Sequence, residues 1–342
     1  ALRFMSVNAE NMDRLIPRGN RRGGRAAALK DEQKQACLRL SRLIRDVNPD
    51  VFILVEGPST PAQMQRFNVE YLSHAYVVLG GLDGGQQRVY CLVRRHGASL
   101  HLTARVPAIA DEFFDARWKV DVTGDCVMTR YKYLRRPLIV EVEVRGPGRE
   151  PQRLMVIGLH LKSKHIPRAR QLWETEDIDD KMAYIKKAVE NRRRIAAEVN
   201  RCRQLIDMIM DDCPRAKTII AGDVNDGPGK DLFEQRYLLS NASDALLGSP
   251  FTPNTCFSHT LLESFRKSPP QASQKVASAA KFAGQKPLRF RSGGVVTDAG
   301  RGEGGSDAGL SATAKGAVDM ELNESKTATA HTTAALPANR VW

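Results

Sequence analysis

The chain has 342 residues, 42% hydrophobic and 27% charged, which is the composition of a folded protein and excludes wholesale disorder. No apolar run reaches the roughly 18 residues that a membrane helix needs, so no membrane insertion is expected. Lysine and arginine number 52 against 39 aspartates and glutamates, a formal net charge of +13, and so basic a balance points to a polyanionic partner.

Taken in chain order, Leu2–Val7 reads as a strand. Residues 29–47 read as a helix, because Leu29, Ala36, Leu40, Leu43, Ile44 and Val47 keep a 3.6-residue period and Asn48-Pro49-Asp50 stops it. Val51–Val55 is a continuous apolar run, as a buried strand should be. Thr60 caps a second helix with Pro61 at its first position, running to about Leu72. Strands follow at Tyr76–Leu79 and Arg88–Val93. The strands Leu138–Val144 and Leu154–Leu161 flank the turn-rich stretch 145–151, a hairpin. One long helix is predicted from about Leu172 to Asp212, then a buried strand at Thr218–Ala221. Helices outside and sheets inside, with a hairpin in the middle, predict a layered α/β sandwich rather than a doubly wound nucleotide fold.

The composition changes near residue 260. From 265 to 339 the chain is rich in Ala, Ser, Gly, Thr and Lys, with Gly293-Gly294 and Gly304-Gly305, and has few large apolar residues to offset the entropy of ordering it. The expected organisation is an ordered domain over 1–260 followed by a low-complexity, largely disordered insertion or tail over 261–342. The cysteines Cys37, Cys91, Cys126, Cys202, Cys213 and Cys256 are scattered without a CxxC pair, which argues against a zinc site or a disulfide framework and for reduced thiols inside a cell. No signal or transit peptide is visible, and Ala1 stands where an initiator methionine would, so a removed leader, mitochondrial included, stays open.

Four short motifs end predicted strands: Val7-Asn8-Ala9-Glu10-Asn11, Asp50-Val51-Phe52-Ile53-Leu54-Val55-Glu56, Gly158-Leu159-His160-Leu161-Lys162-Ser163-Lys164, and Ala221-Gly222-Asp223-Val224-Asn225-Asp226. Loops held at the ends of buried strands are where function sits. Each motif alone reads as readily as a turn or cap. Glu56 is the hardest to treat so, because a carboxylate at the end of a buried strand has to be solvated, paired or bound to metal.

In this order and spacing the four motifs resemble the endonuclease/exonuclease/phosphatase superfamily, which includes magnesium-dependent deoxyribonucleases, apurinic-site endonucleases, deadenylases, sphingomyelinases and inositol phosphatases. The resemblance covers about residues 3–260. It implies a four-layer α/β sandwich, two central mixed or antiparallel sheets flanked by helices. It further implies a Mg²⁺-dependent phosphoric-diester hydrolase, with Mn²⁺ as an alternative metal. On that basis Glu56 and Asn8 would hold the metal, Asp223 would orient or deprotonate the attacking water, and Asn225 would position water or phosphoryl oxygens. His160 would donate to the charge growing on phosphorus.

Two departures stand out. The superfamily ends with an Asp-His pair near its last strand, and no Asp-His dipeptide exists here: His259 follows Ser258, Ser306-Asp307 is followed by Ala308, and His331 lies among threonines and alanines. The pair would lie beyond Trp342, or the enzyme has lost it, or His259 replaces it. The stretch Gln86–Arg95 also lacks the aspartate of the family's Gly-Ile-Asp-Val-Ala, having Val89 or Tyr90 at that position.

Basic residues flank the motifs. Arg21, Arg22 and Arg25 follow Asn8 in a glycine-rich loop, and Lys162, Lys164 and Arg168 follow His160. Such loops suit a nucleic-acid backbone, DNA or RNA. Tyr131, Lys132, Tyr133, Arg135 and Arg136 mix aromatics with cations, as single-strand binders do. The first expectation is therefore a nuclease. The second is a catalytically impaired relative acting as an RNA-binding or ribonucleoprotein scaffold, and the third a lipid or inositol-phosphate phosphoesterase.

Overall fold

The structure, a computed structural model, describes residues 2–17, 28–81, 86–95, 100–212, 217–226, 230–238, 240–249, 251, 255–257 and 314–320, with the backbone alone for 109–112 and 314–320. The strands are β1 (Leu2–Asn8), β2 (Val51–Gly57), β3 (Tyr76–Gly80), β4 (Arg88–Arg94), β5 (His101–Arg105), β6 (Trp118–Val120), β7 (Thr129–Tyr131), β8 (Leu138–Arg145), β9 (Gln152–His160), β10 (Lys217–Asp223) and β11 (Ala314–Met320). The helices are α1 (Asp31–Val47), α2 (Pro61–Tyr71), α3 (Ala108–Asp115), α4 (Ala169–Glu174), α5 (Ile178–Asp212) and α6 (Ala242–Leu247).

Two mixed sheets form, one in the order β11-β1-β2-β4-β3 and one in the order β10-β9-β8-β5; β6 and β7 make a separate ribbon. Strand alternation decides what each face covers. Leu2, Phe4, Val51, Ile53 and Val55 of the first sheet pack on Val140, Val142, Leu154, Val156, Ile219 and Ala221 of the second. The opposite faces carry Met5, Val7, Phe52 and Leu54 against Leu40 and Ile44 of α1 and Met64 and Phe67 of α2. On the far side, Met155, Ile157, Leu159 and Ile220 meet Ile195, Val199, Cys202 and Ile206 of α5. The result is the four-layer α/β sandwich expected. Among the described residues no helix is long and apolar enough to cross a membrane.

Thr60 caps α2 as predicted, its Oγ1 accepting from the Gln63 backbone at 3.3 Å. The predicted single helix over 172–212 is in fact two, α4 and α5. Thr175 is extended, its Oγ1 accepts from the Asp177 backbone at 3.2 Å, and Asp177 Oδ1 accepts from Asp179 at 2.8 Å. Short polar side chains that bond nearby amides end one helix and cap the next. Of the segment 261–342, residues 314–320 form β11, antiparallel to β1 with Ala314 opposite Val7. His331 and the rest of that segment lie outside the described residues, as do His259, Arg21, Arg22 and Arg25.

Candidate active site

The four motifs meet at one edge of the sandwich. Asn8 shares its alternation with Leu2 and Phe4, His160 with Leu154 and Val156, and Asp223 with Ile219 and Ala221, so all three belong to the faces that pack between the sheets. β9 and β10 run parallel with Asp223 opposite His160. Gly158 lets the sheets close up here, since a Cβ on it would lie 2.7 Å from Val89 Cγ1. Gly222, at φ 124°, would put a Cβ 2.0 Å from the Leu159 carbonyl oxygen, so the turn into Asp223 requires glycine.

Glu56 breaks the alternation. By position it belongs with Phe52 and Leu54, which face the helices. The pairing of β2 with β4 shifts between Leu54 and Gly57, and Glu56 has a left-handed φ of 56°. Such a bulge re-aims a side chain. It brings Glu56 Oε1 to 3.1 Å from Asn8 Nδ2 and 4.0 Å from His160 Nε2 on the other sheet. Gln87 and Asn225 are also left-handed, at φ 57° and 56°. Non-glycine residues held there cost about 1–3 kcal/mol each and cluster at functional sites.

Sequence reading missed Gln87 as a member of this cluster and took Arg135 only for a nucleic-acid contact. Gln87 donates from Nε2 to Glu56 Oε2 at 2.9 Å. Its Oε1 accepts from Arg135 Nε at 3.1 Å and Nη2 at 2.7 Å. Arg135 also donates from Nη1 to the Leu161 carbonyl at 3.0 Å, which Asn225 Nδ2 reaches at 2.8 Å. The guanidinium therefore ties the first sheet's carboxylate to the loop after β9. Burial pushes Arg135 below its ordinary range, against the opposing charges of Glu56, Glu198 and Asp223. The available signal for Gln87 was a polar residue just ahead of an apolar strand, in the stretch where the family aspartate is missing. Of the two positions weighed there, Val89 is in the inter-sheet core and Tyr90 donates its hydroxyl to the Pro58 carbonyl at 2.7 Å.

His160 is 2% exposed, and burial, followed by the nearby Arg135 charge, lowers its pKa to about 3. Its Nδ1 lies 3.4 Å from the Gln87 carbonyl oxygen. A carbonyl only accepts, so this contact favours a proton on Nδ1, while the Glu56 carboxylate 4.0 Å from Nε2 favours one there. Asp223, buried, accepts from the Asn225 backbone at 2.8 Å.

The donor set fits a magnesium ion. Among the described residues no group of three or more His, Cys, Asp or Glu side chains encloses a metal. Mg²⁺ does not need one: it binds through one or two carboxylates and keeps waters for the rest. An ionised carboxylate accepts about four hydrogen bonds, and Asn8 and Gln87 use two on Glu56, leaving capacity for a cation. Asn8 Oδ1 accepts from the Glu10 backbone at 2.9 Å and retains a second lone pair.

The basic residues divide. Lys164, expected on a phosphate backbone, turns inward to Asp226 at 2.6 Å, Glu234 at 2.7 Å and Asp231 at 3.1 Å. Burial acts against its charge, but Asp226 and Glu234 prevail and raise its pKa. The Lys162 backbone donates to buried Glu198 at 2.8 Å, and its ammonium donates to the Ser163 carbonyl at 2.7 Å. Burial raises the Glu198 pKa, against the hydrogen bonds from Lys162 and Tyr131. Arg168 is exposed at the start of α4. The aromatics of 131–133 are not splayed for stacking on bases: Tyr131 donates to Glu198 Oε1 and Tyr133 to the Glu198 carbonyl, both at 2.9 Å, and both rings pack on Trp118.

No protein-family model matches the chain, and no curated protein matches it in sequence. Solved structures similar to it include D. rerio TDP2 humanised by 14 mutations, at 14% identity and a TM-score of 0.35, over 68% of this chain and 69% of that one. C. elegans TDP2 is similar at 16% identity and a TM-score of 0.35, over 66% of this chain and 48% of that one, so the match spans about half of the nematode chain. A mannosyl-6-phosphatase of Bacteroides thetaiotaomicron is similar at 10% identity and a TM-score of 0.34, over 72% and 70%. An endonuclease/exonuclease/phosphatase family protein of the same bacterium stands at 12% and 0.35, over 72% and 68%. In its motifs and its layered fold the chain resembles that superfamily.

Proposed function

We propose that the chain is a Mg²⁺-dependent phosphodiesterase acting on nucleic acid. The observation that supports this best is the meeting of Glu56 from one sheet with His160 and Asp223 from the other, around the Arg135 guanidinium. Glu56, with Asn8, would hold the metal, which when bound would polarise a phosphoryl oxygen. Asp223 would orient the attacking water or take its proton, and His160 would donate to the charge growing on phosphorus. Asn225 holds the turn after Asp223. Arg135 has N–H groups beyond those it already uses, and its charge suits a phosphate that gains negative charge on the way to the transition state. The net charge of +13 suits a long polyanion better than a small headgroup.

The test is calorimetric Mg²⁺ titration of the full chain and its Glu56→Gln variant, with cleavage assays on single- and double-stranded DNA and RNA and on phospholipid headgroup substrates. Glu56→Gln should lose Mg²⁺ binding and turnover. Unchanged Mg²⁺ binding would refute the metal assignment.

A second reading, a nucleic-acid or ribonucleoprotein binder without turnover, is favoured by one observation. Ser306-Asp307 is followed by Ala308 just ahead of β11, the strand beside β1, and the sequence holds no Asp-His anywhere. A missing general acid or base slows proton transfer by roughly 10²–10⁴. Salt-sensitive RNA binding with no cleavage in Mg²⁺ or Mn²⁺ would select this reading.

A further inference from the structure

Gln87 touches three ionisable residues drawn from both sides of the sandwich. Its side-chain amide donates to Glu56, its amide oxygen accepts twice from Arg135, and its backbone carbonyl lies against His160. It does so from a left-handed backbone, φ 57°, at the residue before β4. The chemistry of that position is narrow. A glutamate cannot donate to Glu56 and a lysine cannot accept from Arg135, whereas an amide does both while remaining neutral.

Neutrality matters because of what lies on either side. Arg135 is desolvated and electrostatically coupled to Glu56. A buried guanidinium facing a carboxylate forms a bidentate, charge-assisted pair when nothing intervenes. Such a pair would occupy the acceptor capacity that Glu56 has left.

We infer that Gln87 is a positioning residue, a neutral spacer that holds Arg135 off Glu56 and so leaves Glu56 open to a divalent cation. The inference rests on the magnesium reading above. It assigns Gln87 no contact with substrate; Gln87 acts through Glu56 and Arg135.

The experiment compares the full chain with Gln87→Ala, Gln87→Glu, Arg135→Met and the double variant Gln87→Ala/Arg135→Met, using Mg²⁺ alone as the titrant in calorimetry. Gln87→Ala should weaken Mg²⁺ binding by about 10–100-fold, the usual loss when a partner of a metal ligand is removed. The double variant should return affinity to within a few-fold of the parent, because the competing guanidinium is gone. Gln87→Glu should also bind Mg²⁺ more weakly than the parent, since a glutamate cannot donate to Glu56 and so no longer fixes it, whatever it accepts from Arg135. A loss in Gln87→Ala that Arg135→Met fails to rescue would mean simple collapse of the site and would overturn the inference, as would unchanged binding in Gln87→Ala.

A crystal structure of Gln87→Ala supplies a readout free of metal. Arg135 should sit within hydrogen-bond distance of Glu56, and a guanidinium left only on the Leu161 carbonyl would overturn the spacer role. If that direct pair forms while the parent chain binds no Mg²⁺, the spacer role stands and it is the magnesium reading that fails.

Discussion

Replacing Lys164 by alanine distinguishes an internal cation from a phosphate contact. The ammonium lies between Asp226, Glu234 and Asp231, and the side chains of the first two are only 2% and 3% exposed. Removing one partner of a buried ion pair costs about 3–5 kcal/mol, because the remaining charge stays buried without compensation. Two features favour the low end. The Lys164 side chain is 25% exposed, and Arg192 remains as a second cation, 2.6 Å from Asp231 and 3.8 Å from Glu234. Asp226 additionally accepts from the Ala242 backbone at 2.9 Å, so its carboxylate has to stay in place for α6 to start where it does. A loss of about 3 kcal/mol corresponds to a fall in Tm of roughly 6–12 °C for a domain of this size. Thermal and urea unfolding at pH 7 measure it, and Asp226→Asn in the Lys164→Ala background should recover part of the loss. Nucleic-acid affinity should keep its salt dependence, since this charge is used inside the protein. A Tm change under about 2 °C with a salt slope lower by about 0.9 would identify Lys164 as a phosphate contact and refute the reasoning.

The other predictions concern titration and catalysis. Burial opposes ionisation of Asp231, but hydrogen bonds from Arg192 and the Glu234 backbone outweigh it and hold the carboxyl at about 2. A depressed acid stabilises the fold above its unfolded pKa, near 3.9, and that stability is lost as pH falls towards 2. Arg192→Ala should move this loss to higher pH, and an unchanged urea midpoint between pH 5 and 2 would count against it. His160 behaves in the opposite sense to a surface histidine. The unfolded chain takes up its proton near 6.5 and the folded chain only near 3, so stability declines as pH falls through that window. Its imidazole resonances should stay those of a neutral ring down to pH 5, and a transition near pH 6 would show that the ring is solvated. Asp223→Ala should retain Mg²⁺ and nucleic-acid binding while losing turnover, and turnover at the parent rate would remove Asp223 from the chemistry.

What was legible in the sequence follows from how local each signal is. The β2 run Val51–Val55 and the cap at Thr60 are readable because adjacent residues decide them. The motif residues Asn8, Glu56, His160 and Asp223 are readable because each ends an apolar run. β5 and the β6–β7 ribbon were not, being short and largely exposed, with no apolar run to mark them. The helix break at Thr175 was hidden because the residues around it still favour helix, and only the side-chain bonds of Thr175 and Asp177 end it. The surroundings of Lys164 were unreadable for a related reason. Its partners Asp226, Asp231 and Glu234 are some sixty to seventy positions away, and a charge count near a motif cannot tell a solvated lysine from one closed in by distant carboxylates.

The same locality explains why Gln87 escaped notice and why Arg135 was read only as a nucleic-acid contact. Each sheet supplies half of the site from its own strand ends, Asn8 and Glu56 from one, His160 and Asp223 from the other. Two stacked sheets are held by apolar packing, which is non-directional and fixes their separation better than their relative slide. Directional bonds have to set the last part of the geometry. Arg135 and Gln87 form those bonds, running from the Leu161 carbonyl on the second sheet's side to the Glu56 carboxylate on the first. Neither residue sits in a strand-end motif, and their separation in sequence is set by the whole excursion through β4 to β7. A substitution at either one should therefore act on how Arg135 and Glu56 meet, while leaving the secondary structure, and every motif by which the site is recognised, unchanged.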